Sequence, residues 1–392
     1  MNFVLPPKLS SVQLKSIARL CGKSRSGTKA VIADRIAEDL KTFQPLAPGT
    51  RVLSIDLGIR NLAYSLLEVP HPNNGTPGKT SKWARKSSWE RKKDTAPSSA
   101  ALKEPRLLAW ERLALMPKAE KAVPPGGSTK KSRKKAKADE EADADQQDEE
   151  VLPKRGRRKS KTDATTDPRH QAAEDPTAAA SPATTPVLVE DFSPARLSAL
   201  AVDLVLNRLL PLRPDVVILE QQRFRQMGGS GVYEWTLRVN SLESMLYALL
   251  TLLRELGRWD SPVGRIEPVV ARNVLEFMGA RARLAGFDVG DIWARHRGAE
   301  DKTDNKKVKK DIIGRMLASA GLDVAEPARL VAAVYLNEWQ GKNSFLRKAD
   351  RMKKLDDLAD CLLQGLAFIH WQNNKRLLLE GGVDALHDQM LE

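Results

Sequence analysis

The sequence predicts a mixed α/β fold whose sheet begins antiparallel. Two apolar runs, Arg51–Leu57 and Asn61–Glu68, read as buried strands joined by a turn at Gly58, and a third strand candidate covers Leu107–Leu113. Three strand patterns come in succession before the first helical pattern of this domain, which points to an antiparallel start. Further on, strand patterns at Asp215–Glu220 and Arg265–Val270 alternate with an amphipathic helix at Pro194–Leu210 and a strongly apolar one at Ser241–Leu256. No Gly-rich phosphate loop follows the first strand, which excludes a dinucleotide-binding domain.

The elements before and after this core follow in order. Residues 1–45 read as a small helical unit. Val12, Leu14, Ile17, Ala18 and Cys21 share one helix face behind the cap candidates Ser10 and Ser11. A turn at Gly22–Gly27 leads to a second helix carrying Val31, Ile32, Ile36 and Leu40, and Pro45–Pro48 marks a linker. Residues 71–105 form a polar, basic excursion with Trp83 and Trp89. Lys302–Ala320 is a basic helix and Lys354–Trp371 a final helix. The main body thus spans 50–375, with 376–392 as a tail.

The chain has 392 residues and a formal charge of +14, from 64 Lys and Arg against 50 Asp and Glu. Such a charge favours a polyanionic partner. Residues 118–190 look the most basic but hold 15 basic and 14 acidic residues and no aromatic. They cannot bury enough apolar surface to offset their ordering entropy and are expected to be disordered. The remaining 319 residues therefore carry +13 and all 20 aromatics. Two cysteines, Cys21 and Cys361, cannot form a disulfide framework or a four-ligand zinc site. No 18-residue apolar stretch is present, so no membrane association is expected.

Three acidic positions stand out by context. Asp56 ends the first strand and Glu220 ends Val216–Leu219, both after runs where an unpaired charge is expensive. On the last helix, Asp360 lies three residues from Asp357 and four from Asp356. Taken singly, each has an ordinary explanation: a turn cap, an ion pair with Arg223 or Arg225, an N-terminal helix cap. Together they match the all-oxygen donor set of hard divalent cations, which two-metal phosphoryl transfer draws from several elements. The five histidines are scattered, and His296 and His370 read as surface or core residues. No serine-nucleophile, Walker or kinase motif competes.

Ile55-Asp56-Leu-Gly-Ile-Arg-Asn61, Ile218-Leu-Glu220-Gln-Gln222-Arg-Phe-Arg225 and Leu355-Asp356-Asp357-Leu-Ala-Asp360 resemble the three acidic motifs of the fungal mitochondrial Holliday-junction resolvases, of the RuvC group in the RNase H-like superfamily. The N-terminal pattern, with Gly22, Gly27, Lys29, Ile32 and Ile36, resembles a SAP-type DNA-binding motif. This resemblance implies an RNase H-like five-stranded sheet, three strands antiparallel and then parallel, flanked by helices. It implies a homodimer acting on four-way junction DNA, with no small-molecule cofactor. Asp56, Glu220, Asp360 and either Asp357 or Asp356 would ligate two Mg²⁺ ions, with Mn²⁺ as a substitute. The i, i+3 spacing favours Asp357 and the i, i+4 spacing Asp356. The products would carry 5′-phosphate and 3′-hydroxyl ends.

Position suggests the phosphate contacts: Arg223 and Arg225 beside Glu220, Lys306, Lys307, Lys309 and Lys310 at one helix start, and Arg25 and Lys29 in the N-terminal unit. Phe224 either stacks on unpaired bases or anchors its loop. The resemblance points to mitochondria, while the clusters Lys130–Lys137 and Lys154–Lys161 leave a nuclear address open. Two other functions stay open: a catalytically silent DNA-binding scaffold of the same fold, and a hydrolase of RNA–DNA hybrids.

Overall fold

The computed structural model describes residues 5–6, 8–71, 104–116, 191–222, 234–287, 302–342, 352 and 354–389, with side chains from 305 onward in the 302–342 segment. The expected disordered insert at 118–190 lies outside the described residues, as do Arg223, Phe224 and Arg225.

Strands β1 (Arg51–Leu57), β2 (Asn61–Glu68) and β3 (Arg106–Ala114) form the predicted antiparallel meander. β4 (Val216–Glu220) adds parallel to β1, and β5 (Arg265–Val269) adds parallel to β4. A two-residue strand, β6 (Asp323–Val324), pairs with the start of β3. The sheet of described strands therefore runs β5-β4-β1-β2-β3-β6. Both faces are covered, which explains why the interiors of β1, β2 and β4 are largely apolar and buried on both sides instead of alternating.

Val52, Ala63, Leu67, Val216 and Ile218 point to one face. The long helix α8 (Leu355–Gly381) packs there with α5 (Ala271–Leu284), α6 (Lys302–Ala318) and α7 (Glu326–Trp339). Leu53, Ile55, Leu57, Leu62, Val217 and Leu219 point to the other, against α3 (Pro194–Asp203) and α4 (Glu234–Glu255). The single helix expected over 194–210 is α3 continued by a π-helical stretch, Leu204–Leu209. Helices α5 and α7 and strand β6 are not marked out by the sequence pattern.

Helix α8 lies unusually close to the sheet because residue 365 is glycine. A Cβ there would come within 2.6 Å of Leu67 Cδ1 and 3.2 Å of Ser54 Cβ. Hydrogen bonds fix its rotation: Trp110 Nε1 donates to the Leu358 carbonyl at 3.0 Å and Ser65 Oγ to that of Cys361 at 3.1 Å. Gln364 Nε2 donates to the Ile55 carbonyl at 3.4 Å, beside Asp56. The helix also continues past Lys375. Residues 376–389, expected as a tail, complete α8 and a 3₁₀ turn, burying Leu377, Leu378 and Leu386.

The N-terminal helices α1 (Ser11–Leu20) and α2 (Lys29–Lys41) form as expected. Ser10 and Gln13 make a reciprocal capping box on α1, and Thr28 caps α2. The sequence reads them as separate from the sheet domain, yet their apolar faces join the α8-side core. Asn374 Nδ2 donates to the Leu20 carbonyl and Asn273 Nδ2 to that of Gly22, each at 2.9 Å. Gly22 takes a left-handed φ of 73°, and a Cβ there would run into the Trp371 ring. Lys23 and Lys375 both pair with Asp39. A short helical hairpin buries too little apolar surface alone, and docking supplies the rest.

Candidate active site

Strand register builds the site. Asp56 pairs with Ala63 and Ala63 with Arg112, while the parallel β1–β4 register ends at Ile55 opposite Leu219. One step further sets Glu220 level with Asp56. A row of Glu220, Asp56, Ala63 and Arg112 thus crosses the carboxyl ends of β4 and β1. Along β1, Asp56 follows the parity of Val52 and Ser54, which is the α8 face. There the first turns of α8 deliver Asp356, Asp357 and Asp360.

Burial is the largest reason the Asp56 carboxyl is pushed well above the ordinary range, followed by the charges of Asp360, Glu220 and Asp357. Asp360 is raised by burial, with Lys309 opposing it. Asp357 is raised by burial and by Asp356, with Arg112 opposing. The two adjacent aspartates differ in direction. Asp357 accepts from Arg112 Nε at 3.0 Å and its charge acts on Asp56. Asp356 instead lies 3.5 Å from Lys306 Nζ.

Lys309 belongs to this cluster. Its Nζ is 2.8 Å from Asp360, and burial alone would depress its ammonium, but Asp360, Glu220 and Asp56 outweigh that and raise it. Of the four lysines expected on a phosphate-facing helix start, Lys306 and Lys309 therefore turn toward the acids, while Lys307 is exposed. Arg25, a DNA-contact candidate, pairs with Glu276 of α5 at 3.0 Å; Lys29 is exposed at the start of α2. The parts that sequence reasoning missed are Arg112 and the inward role of Lys309. Only the strand register would have signalled the first.

The donors fit a hard divalent cation. They are all carboxylates, they crowd one another enough to disfavour ionisation, and basic side chains compensate them in part. As placed, no three His, Cys, Asp or Glu side chains among the described residues stand close enough to hold an ion. The acids are drawn instead to Arg112, Lys306 and Lys309, so ion binding requires side-chain rotation.

A sheet that opens antiparallel, continues parallel and gathers carboxylates from β1, β4 and the last helix defines the RNase H-like class. Within it, the chain belongs to the family described as Mitochondrial resolvase Ydc2 / RNA splicing MRS1, whose model matches residues 52–378. A 60-residue stretch is 47% identical to "Cruciform cutting endonuclease 1, mitochondrial" of Schizosaccharomyces pombe, covering 15% of this chain and 23% of that protein. The match thus spans under a quarter of that relative's length. The crystal structure of the yeast mitochondrial Holliday junction resolvase Ydc2 aligns over 94% of this chain and 95% of that one, with 18% identity and a TM-score of 0.45. No described helix is long and apolar enough to cross a membrane.

Proposed function

We propose that this protein is a metal-dependent endonuclease that resolves four-way DNA junctions in mitochondria. The observation that carries the reading is the convergence of Asp56, Glu220, Asp357 and Asp360 at one sheet edge in a member of a resolvase family. The family's description also covers RNA splicing, but a nucleic-acid-binding role alone gives no reason to gather mutually repelling carboxylates. The S. pombe relative, a mitochondrial cruciform cutting endonuclease by name, supports both substrate and compartment.

In this reading Asp56, Glu220, Asp357 and Asp360 hold two Mg²⁺ ions, and Asp356 stays with Lys306. Bound Mg²⁺, or Mn²⁺ in its place, would supply an activated water and charge neutralisation at the leaving 3′ oxygen. The chain's own contribution is geometric. Gly365 lets α8 approach, Trp110 and Ser65 fix its rotation, and Arg112 aims Asp357. Lys309 holds Asp360 and keeps positive charge beside the incoming phosphate. Junction resolution needs two opposed cuts, so two copies act as an isologous dimer matching the two-fold junction.

The test is a cleavage assay on a four-way DNA junction, with and without Mg²⁺, mapping cuts on every strand. Paired symmetric cuts that need Mg²⁺ and vanish in Asp56→Asn are expected. Faster cleavage of an RNA–DNA hybrid than of the junction, or an Asp56→Asn variant as active as the parent, would overturn the assignment. Light scattering on junction DNA should give two copies per junction; one copy would sink the dimer.

A further inference from the structure

Trp235 opens α4 with 36% of its surface exposed, and it sits in a ladder of rings and guanidinium groups. The Arg60 guanidinium lies 4.9 Å from its ring centroid. Phe192, just before α3, meets it edge-on at 5.8 Å. The guanidinium of Arg238 caps Phe192 at 4.1 Å and is itself tied to Glu234. The packed tryptophans Trp110, Trp259 and Trp339 instead spend their indole N–H groups on internal acceptors. Trp235 is left partly exposed, with Arg60 over its ring and Phe192 against it.

The ladder stands at the edge where the carboxylates gather. Arg60 lies in the β1–β2 turn, four residues after Asp56, and Leu115 N–H donates to its carbonyl at 2.9 Å, which holds the turn. Asp56 projects to the α8 face of β1, while Phe192 packs with the core on the opposite α3–α4 face. A strand crossing the sheet end would therefore meet the acids on one side and the ladder on the other. Aromatic faces flanked by arginine are the sequence-tolerant way to hold an unstacked base. The ladder is already ordered, so little side-chain entropy is lost on binding.

We propose that Trp235, held by Arg60 and Phe192, is a stacking platform for a nucleobase unstacked at the branch point, and that it registers the junction against the carboxylates. The proposal rests on the junction-nuclease reading for its ligand, and its chemistry requires only an unpaired base.

The test uses the full chain in EDTA, which prevents cleavage. Two probes carry a single 2-aminopurine, one at the branch point of a four-way DNA junction and one within a single DNA strand. The parent protein should quench both. Trp235→Leu, which keeps apolar bulk without a π face, should lose the quenching and weaken junction binding by about 5- to 100-fold. Trp235→Phe should restore most of both. Equal melting temperatures of the Leu and Phe variants would show that the loss is not structural. A Trp235→Leu variant that binds and quenches like a parent that cuts junctions overturns the platform alone. A parent that quenches the single strand but neither binds nor cuts the junction overturns the nuclease reading and leaves the platform standing. A parent that quenches neither probe overturns the platform.

Discussion

Two acidic sites of this molecule obey opposite charge logic. At the sheet end, Asp56 is surrounded by Asp360, Glu220 and Asp357, and its carboxyl is pushed up. On the same face of the sheet, Glu104 is buried between Arg281 and His370. Burial works against its ionisation, but Arg281 and His370 outweigh it and bring its pKa down to about 2. His370 is lowered, by burial first and then by Arg281, so it stays neutral and donates Nε2–H to Glu104 at 3.1 Å. One cluster is balanced and joins the segment before β3 to α5 and α8. The other carries an excess of like charge that folding alone cannot justify. The contrast teaches that burial of acids does not by itself mark a site; a group of them only partly compensated does.

Mutation should separate the two. Asp56→Asn should cost on the order of 10³-fold in junction cleavage, as several kcal/mol of transition-state stabilisation go with the metal site. Its melting temperature should stay level or rise, because repulsion is relieved. A marked loss of stability would mean that Asp56 is a structural acid after all. Glu104→Ala should do the reverse, destabilising the fold by about 3–5 kcal/mol in urea denaturation by removing the buried partner of the half-buried Arg281 and of His370. A change under about 1 kcal/mol would show that the triad is not a structural anchor.

The same contrast extends to pH. Glu104 is depressed from 4.5 to about 2, so its stabilisation is fully present above pH 4.5 and is lost as pH falls toward 2. His370 acts in the same direction, since its lowered pKa makes the unfolded chain take up the proton first below about pH 6.5. The stability gap between parent and Glu104→Gln should therefore shrink between pH 4.5 and 2, by on the order of 3 kcal/mol. A gap independent of pH would contradict the assignment. The smallest expected effect is Gly365→Ala, at about 1–3 kcal/mol from overpacking against Leu67 and Ser54. Cleavage should fall with it, because lifting α8 moves Asp357 and Asp360 off the row. Unchanged cleavage would mean that α8 need not lie so close.

Much of this was legible in the chain. The meander, the parallel additions and the ends of β1 and β4 follow from apolar runs bounded by Gly58 and by acids, because a strand buried on both faces must be continuously apolar. Asp56, Glu220 and the Asp356–Asp360 group could be singled out because an acid beside such a run needs a reason. Helices α5 and α7 lay outside the sequence reading.

Sequence alone therefore determined the elements and the acids that chemistry requires. Tertiary structure decided which way they face. Whether Asp356 or Asp357 joins the cluster depends on the rotation of α8, set by Trp110, Ser65 and the Ile55 carbonyl from three different strands. Arg112 enters only because the β1–β2–β3 register carries it into the row of Asp56. Lys309 turned inward because three carboxylates, Asp360, Glu220 and Asp56, outweigh its desolvation. The N-terminal helices joined the core because Gly22 and Trp371, 349 residues apart, fit one another. Local propensity sums neighbours along the chain, whereas orientation and charge balance are set by groups that meet only after it folds.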